Sequence, residues 1–574
     1  MDTDRLRDEC RRIDGRQYPA YKELKGRWEL GGVLLSIDHV QGDPYAAPSR
    51  LRLRVQTGLA GLVSDPDARL AAEDWLLRRF AEALPERRDQ DRGGDHRRGG
   101  DRARGGQRRG SGKSGEIGIY RPGPEVVERS AVRLLSDGRA EVRFSAGLPA
   151  GGRRILGRQA AALLMEDIPR AADALREAQD DPGLAAHVTS VKVQRALRRQ
   201  LQARALIAFI ADGAVLPRAS GVAQSPLAGA VPFAAPASLR VTLDGPDGPI
   251  PGMGVPAGVT LIVGGGFHGK STLLTAIQRG HMDHVPGDGR ERVVTREDAV
   301  KIRAEDGRKV TGVDISPFLR ELPGGRSTAP FFTDDASGST SQAAAIVEAA
   351  EAGAGVLLID EDTSATNLLV SDERMRQLIP RDREPITPFV ERVRQVHEVW
   401  GLSTVMVVGG VGDYLAVADA VILMDAFRPV DVTAKAKALA GPTPTPPDAL
   451  GPVRARVPVR ASLDPEGARG RGKIRSRDAR RLEYGGDEVE LAAVEQVLDP
   501  AHAATLGHAL RLIYEEIADD ERDVRGVLNR LMAVLDAEGV EALSVWEAPP
   551  GNLIRPRRHE VAAALSRLRS LQVR

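Results

Sequence analysis

Residues 264–272 read GGGFHGKST and match the phosphate-binding pattern G-x-x-x-x-G-K-[ST]. The apolar run before them, residues 259–263, predicts a buried strand that enters a glycine turn and then a helix. Backbone N–H groups at the positive end of such a helix suit a polyphosphate. We therefore expect the phosphates of a nucleotide to contact Gly264, Gly265, Gly266, Phe267, His268, Gly269, Lys270, Ser271 and Thr272.

Within this loop, Lys270 and Ser271 have separate predicted tasks. The Lys270 ammonium reaches the β- and γ-phosphates as a point charge, and the Ser271 hydroxyl completes the coordination of Mg²⁺. ATP with Mg²⁺ is therefore the expected cofactor.

A pair of carboxylates forms the second group with predicted chemistry. The apolar run 356–359 ends in Asp360 and Glu361, so a buried strand presents both side chains at its carboxyl end, where α/β sheets carry their sites. Asp360 suits the magnesium ion, and Glu361 is placed to polarise an attacking water as a general base.

Between these motifs, residues 336–340 (ASGST) open a helix that runs through 350, with serines typical of a helix start. Here the chain resembles the ABC ATPase superfamily, whose signature LSGGQ opens a helix about two dozen residues before the catalytic Asp-Glu pair. Residues 364–367 (SATN) resemble its D-loop. The resemblance implies a head-to-tail homodimer in which Ser337, Gly338 and Ser339 contact the ATP held by the other copy.

Further segments narrow the resemblance to a bacterial family of predicted ABC-class ATPases. It covers about residues 20–430 and implies an ABC-type ATPase with a kinetoplastid mitochondrial relative associated with RNA editing. The segments are HVQGDPYAAPSR (39–50), GSGKSG (110–115), ADGAVLPR (211–218), VPGDGRE (285–291), KIRAEDGR (301–308), DISPF (314–318) and EPITPF (384–389).

The chain departs from ordinary ABC proteins after the predicted strand 403–408. A switch histidine is expected there, but the sequence has Gly409 and Gly410. Asp413 is one candidate to sense the γ-phosphate or position water, and a turn cap is the alternative. His268 is another candidate, with a solvent-facing spacer as its alternative. Slow turnover is therefore plausible. The nearest aromatic before the loop that suits adenine stacking is Phe233, and Tyr120 is the alternative if the N-terminal domain folds over the site.

Composition sets broad limits. The chain has 574 residues with room for three or four domains, 42% hydrophobic residues and a net charge of +1. Its single Cys10 excludes an internal disulfide and a thiolate zinc site, which fits the cytoplasm. No apolar run approaches the roughly 18–20 residues that span a bilayer, so we expect no membrane partner.

The predicted fold class is α/β: a P-loop NTPase core of ABC type with an α+β N-terminal domain and a mainly helical C-terminal domain. We place the domains at 1–168, with an Arg/Gly-rich insertion near 86–109, at 169–440 and at 453–574, with a Pro-rich linker at 441–452. Residues 186–212 predict one long amphipathic helix, and 469–481 form a basic entry to the C-terminal domain.

The basic segments raise the question of nucleic acid. Arg and Gly without aromatics bind phosphate backbones with little sequence preference, whereas interspersed acids favour a solvated linker. For Lys113 there are two predictions: it contacts a phosphate of nucleotide or RNA, or it simply ends the linker. With RNA favoured over DNA, the candidate contacts are Arg97, Arg98, Lys113, Arg469, Arg471, Lys473 and Arg475.

Three functions follow from these observations. The leading hypothesis is an ATPase that couples Mg-ATP at a homodimer interface to nucleic-acid binding. The alternative is a nucleotide-switched scaffold with negligible hydrolysis. A phosphotransferase acting on a metabolite is a third hypothesis, but it gives no role to the predicted signature helix that residues 336–340 open.

Overall fold

The computed structural model describes residues 2–84, 110–322, 325–370, 384–410, 412–466 and 472–574. The chain forms two compact units. The first draws on residues 1–123, 128–189 and 544–553, and the second on 124–127, 190–543 and 554–574. The chain therefore passes between the units more than once.

The described helices, in chain order, are α1 (Asp2–Arg12), α2 (Pro66–Ala83), α3 (Gly157–Ala162), α4 (Ile168–Arg176), α5 (Pro182–Gln200), α6 (Lys270–Arg279), α7 (Gly338–Glu351), α8 (Thr366–Leu369), α9 (Phe389–Trp400), α10 (Thr433–Leu439), α11 (Pro500–Leu512), α12 (Val524–Glu538) and α13 (Arg558–Arg567).

The described strands are β1 (Gly26–Glu29), β2 (Val33–His39), β3 (Ser49–Gln56), β4 (Ile117–Gly118), β5 (Glu125–Val126), β6 (Val132–Leu134), β7 (Arg139–Ala146), β8 (Ala150–Gly151), β9 (Arg154–Ile155), β10 (Leu206–Ala211), β11 (Arg240–Gly245), β12 (Gly248–Pro256), β13 (Val259–Val263), β14 (Asp283–His284), β15 (Val293–Thr295), β16 (Ala299–Ile302), β17 (Arg308–Val313), β18 (Phe331–Ala336), β19 (Val356–Asp360), β20 (Ser403–Val407), β21 (Ala420–Asp425), β22 (Arg428–Asp431), β23 (Ile474–Asp478), β24 (Arg481–Tyr484) and β25 (Asp487–Glu490).

The first unit is an antiparallel sheet covered by helices. Its strand order is β1-β2-β3-β7-β4, with β6 also paired to β7. Alternation along β3 turns Leu51, Leu53 and Val55 into the core. Helix α2 packs on β6 and β7. The residue before it, Asp65, caps the helix, because its side chain accepts hydrogen bonds from two backbone N–H groups of the first turn.

The second unit is built around a six-stranded sheet in the order β16-β19-β20-β13-β21-β22. All neighbouring pairs are parallel except β21 with β22. Helix α6 contributes Leu273 and Ile277 to one apolar cluster on this sheet, and α7 contributes Ile346 to another. Helices on a mostly parallel sheet confirm the predicted α/β class.

Smaller sheets surround this core. Strands β11, β12, β10 and β15 form an antiparallel sheet in that order, β17 pairs with β18, and β5 pairs with β14. In the C-terminal part, β23, β24 and β25 form a three-stranded antiparallel sheet next to the helices α11 to α13. Among the described residues, no helix has both the length and the apolar character needed to cross a membrane.

One long predicted element is wrong. The pattern over residues 186–212 predicts a single helix, but α5 ends at Gln200 and Ala205 takes a left-handed backbone with φ of 53°. The run LIAFIA that follows is the strand β10, buried at every position and paired on both sides. A short apolar run of this kind does not distinguish a buried strand from a buried helix by periodicity.

Glu73 on α2 gives a testable pH dependence. Burial raises the pKa of Glu73 to about 7. The Leu134 N–H donates to Glu73 Oε1 at 2.9 Å, and this hydrogen bond opposes part of the rise in pKa. Since the folded state holds this proton between about pH 4.5 and pH 7 and the unfolded state does not, stability falls as pH rises through that window.

We expect Glu73→Gln to keep the acceptor and remove this pH dependence, so that at pH 8 the variant is more stable than the wild type by up to about 3 kcal/mol. Thermal and denaturant unfolding at pH 5 to 8 measure the effect. The exposed Glu82 on the same helix provides the control Glu82→Gln. An unchanged pH profile in Glu73→Gln would contradict the assignment.

Candidate functional site: the phosphate loop and the carboxyl edge of the sheet

The phosphate loop joins β13 to α6 through glycines that the backbone requires. Gly264 has φ of 141° and Gly269 has φ of 98°. A Cβ atom on Gly264 would lie 2.5 Å from the Met424 carbonyl oxygen, and one on Gly269 would lie 2.8 Å from Cδ1 of Phe427. Both positions therefore need glycine for conformation and for space.

The lysine of the motif lies across its own loop. Lys270 Nζ donates to the carbonyl oxygens of Gly264 at 2.7 Å and Gly265 at 2.9 Å. Ser271 is exposed and Thr272 is half-buried at the start of α6. The predicted phosphate contacts and Ser271 thus lie at one helix start, where the helix dipole favours an anion.

The turn between β21 and β22 holds His268. The Ala426 N–H donates to His268 Nδ1 at 3.0 Å, and the Phe427 N–H donates to the His268 carbonyl oxygen at 3.0 Å. Asp425 lies 3.3 Å from the same ring nitrogen. These contacts support a role for His268 in shaping the loop, and its contact with a γ-phosphate stays a prediction.

The two carboxylates lie at the carboxyl end of β19, as the sequence predicts, with Asp360 its last residue and Glu361 the next. Asp360 is buried and its Oδ1 accepts from the Asp362 N–H at 3.3 Å. Glu361 is half-buried, and its Oε2 accepts from the Gly409 N–H at 2.5 Å. Because Gly409 follows β20, which lies between β19 and β13, this hydrogen bond holds Glu361 toward the phosphate-loop strand.

The predicted signature segment does start a helix. Ser337 is the residue before α7, and its hydroxyl lies 3.1 Å from the Thr340 hydroxyl. The atoms nearest to a Cβ on Gly338 come from Ala304, Asp306 and Ala365, none of which belongs to the phosphate loop.

Gln342 is a site residue that sequence reasoning missed. It is fully buried on α7, its Oε1 accepts from the Ala365 N–H at 2.8 Å, and its Nε2 donates to the Ser364 hydroxyl at 3.0 Å. Ser364 in turn donates to the Asp360 carbonyl oxygen at 2.8 Å. The sequence does carry a signal for Gln342, because it is a polar residue on the face of α7 that otherwise carries Ala, Ala, Ile and Val. A buried polar side chain of this kind requires hydrogen-bond partners.

Asp413 lies in the short 3-10 helix Gly412–Ala416 and is exposed. Its neighbour Tyr414 is buried and donates to the Leu369 carbonyl oxygen at 2.8 Å. Burial raises the pKa of Tyr414 well above its usual value, and the charges of Glu361 and Asp413 add to the rise. Tyr414 therefore ties the segment after β20 to the segment after β19.

The C-terminal part of the chain holds the far end of α7. Arg456 donates to Glu351 through Nε at 3.0 Å and Nη2 at 2.6 Å, and Arg525 caps the helix by donating to the carbonyl oxygen of Ala350 at 2.8 Å. Gln496 accepts from the Lys301 N–H at 3.2 Å and donates to the Ala299 carbonyl oxygen at 3.1 Å. These polar contacts fix α7 and β16 to the C-terminal part of the chain.

The residues predicted to bind nucleic acid fall into three groups by location. Arg97, Arg98, Arg469 and Arg471 lie outside the described residues. Lys113 lies in a turn in which the Ser114 N–H donates to the Ser111 carbonyl oxygen at 3.3 Å. Its backbone lies close to Gly147, because a Cβ on Gly147 would be 1.7 Å from the Lys113 carbonyl oxygen.

Lys473 and Arg475 lie at β23, in the three-stranded sheet. Lys473 Nζ is 3.9 Å from Glu483 Oε1, and Arg475 also pairs with Glu483. Glu483 therefore offsets part of the charge of the predicted basic entry.

Comparison with known families agrees with this architecture. The model of the ABC ATPase P-loop domain matches residues 180–452, that of the N-terminal domain of ABC-class ATPases matches 3–179, and that of the MRB1590 C-terminal domain matches 473–574. An uncharacterised protein of Methanocaldococcus jannaschii is 37% identical over 138 residues, which cover 22% of this chain and 31% of that protein.

The two longest matches are consecutive and describe successive parts of one family, and their P-loop domain contains the loop, the carboxylates and α7 described above. The chain belongs to the ATPases of the ABC class.

Proposed function

We propose that this chain binds Mg-ATP at the interface of a head-to-tail homodimer and hydrolyses it. The observation that carries the proposal is Glu361, whose carboxylate is fixed by Gly409 at the same sheet edge as the phosphate loop. A carboxylate fixed beside a phosphate site is suited to orient and deprotonate an attacking water. Lys270 and the loop N–H groups stabilise the charge on the phosphates.

Ser271 and Asp360 fit a magnesium ion bound together with the nucleotide. They supply one hydroxyl and one carboxylate, the protein donors that Mg²⁺ uses beside phosphate oxygens and water. When bound there, the ion would neutralise negative charge on the phosphoryl oxygens.

A second copy of the chain completes the proposed site. The start of α7 carries Ser337 and Ser339, and the atoms nearest to a Cβ on Gly338 come from Ala304, Asp306 and Ala365 rather than from the phosphate loop of the same copy. This placement supports a site in which the α7 start of one copy faces the loop of the other. The dimer is thus part of the same proposal as the chemistry.

We further propose that nucleic acid, with RNA favoured, is the partner whose binding is coupled to ATP in the cytoplasm. The support is the basic run at the entry to the C-terminal domain and the match of residues 473–574 to the MRB1590 C-terminal domain. Arg456 and Arg525 supply the connection, because both join the C-terminal part to the end of α7.

One observation favours a second candidate, a nucleotide-switched scaffold that hydrolyses ATP negligibly. Residues 409 and 410, which follow β20, are glycines with no side chain to contact a γ-phosphate. Under this alternative ATP closes the dimer, and its release rather than its hydrolysis opens it.

Glu361→Gln tests the base assignment. We expect it to keep Mg-ATP binding and to lower single-turnover hydrolysis by roughly 100-fold or more, the usual contribution of a general base. Glu398→Gln, at an exposed position of α9, is the matched control. Retained turnover in Glu361→Gln would show that Glu361 is not the base, and negligible turnover in the wild type would favour the scaffold.

Mixing two inactive variants tests the composite site. Lys270→Ala disables the loop of one copy, and Ser339→Glu places a negative charge at the α7 start of the other. In a head-to-tail dimer, one of the two sites in a mixed dimer is intact, so the mixture should regain part of the ATPase activity that each variant lacks alone. A mixture as inactive as its components contradicts the shared site.

Salt dependence tests the partner. Steady-state ATPase is measured with single- and double-stranded RNA and DNA at about 50 and 200 mM salt. We expect RNA to stimulate the rate and the stimulation to shrink at the higher salt, because counterion release drives phosphate contacts. Equal rates with and without every nucleic acid at both salt concentrations would argue against the coupling.

A further inference from the structure

Three non-glycine residues with left-handed backbones meet at the phosphate loop. Phe267 has φ of 64°, Ala426 has φ of 45° and Phe427 has φ of 66°. In the described part of the chain, only Ala205 and Asp520 share this property among non-glycine residues. A bulky side chain at positive φ costs stability, and such residues concentrate at functional sites.

The strained turn between β21 and β22 is unusual in its residues. Asp425 pairs with Arg428, so Ala426 and Phe427 are the two central residues of a two-residue hairpin. Positive φ at both positions favours Asn-Gly or Asp-Gly. Nothing in the hairpin itself requires a phenylalanine at this position.

The Phe427 ring lies against the phosphate loop. A Cβ on Gly269 would be 2.8 Å from its Cδ1 and 3.4 Å from its Cε1, and the Phe427 N–H donates to the His268 carbonyl oxygen. The side chain still exposes 39% of its surface. An aromatic ring is thus fixed beside the start of α6 and presents apolar area to solvent.

Strand order determines which end of a nucleotide this ring faces. Glu361 follows β19, on one side of β13, and the Phe427 turn follows β21, on the other side. With the γ-phosphate directed toward Glu361, the phosphates cross the start of α6 and the nucleoside leaves toward β21. Phe233, the aromatic expected to stack the base, is only 3% exposed within an apolar cluster and is not available for this role.

We propose that Phe427 is the residue on which the base of the bound nucleoside triphosphate stacks. The assignment rests on the proposed nucleotide binding and adds the base subsite to it. Aromatic rings stack on any base through its π face and do not read its edges. The subsite therefore contributes affinity for a nucleoside triphosphate over inorganic triphosphate, with little preference among bases.

Calorimetric titration with Mg-ATP and with magnesium tripolyphosphate separates the base from the phosphates. We expect Phe427→Leu to weaken ATP binding about tenfold, within the range of one base–aromatic stack, and to leave tripolyphosphate binding unchanged. Phe427→Tyr should restore ATP binding. The control is Phe332→Leu, since Phe332 is an exposed phenylalanine of β18.

Each other outcome is informative. If Phe427→Leu binds ATP as the wild type does, or loses ATP and tripolyphosphate affinity equally, the ring does not stack the base and the inference is overturned. If the wild type binds ATP no more tightly than it binds tripolyphosphate, the inference is overturned as well. If the wild type binds neither ligand, the proposed function itself fails. Phe427→Trp gives a second readout, because ATP but not tripolyphosphate should quench its added fluorescence.

Discussion

The parallel alignment of β19, β20, β13 and β21 is the constraint on which the site depends. Parallel strands end at a common edge, so the carboxylates at the end of β19, the glycines after β20 and the phosphate loop after β13 all lie along the same edge. The sheet thus sets the positions, and the side chains at its edge supply the chemistry.

Helix α7 depends on a different interaction, a group of buried ion pairs. Burial opposes the charge on Glu348, but Arg308 and Arg456 outweigh it and hold the pKa of Glu348 below its usual value. Glu351, one turn further, pairs with Arg456 as well. Buried charges of this kind tolerate little displacement, because each requires its partner. The C-terminal part and α7 are therefore expected to move together.

Local motifs predict the core of this protein, but no local pattern predicts the side-chain contacts between distant segments. The loop at Gly264 and the strand ending in Asp360 follow from short patterns whose conformation is dictated locally. Contacts of Gln342, Tyr414 and the turn at Phe427 are with residues 22 to about 160 positions away in the sequence. No spacing in the sequence predicts such contacts. The strand β10 was mistaken for helix because a buried apolar run carries no period.

The ten residues 544–553 belong to the first unit although they lie near the end of the chain. Ser130 binds them through its N–H to the Leu553 carbonyl oxygen at 3.0 Å and through its hydroxyl to the Pro550 carbonyl oxygen at 2.6 Å. A fragment ending at Thr189 would lack a piece of its own framework and leave Ser130 without these acceptors. Dissecting the protein by truncation would therefore perturb the amino-terminal part, and point substitutions in the intact polypeptide are the safer route.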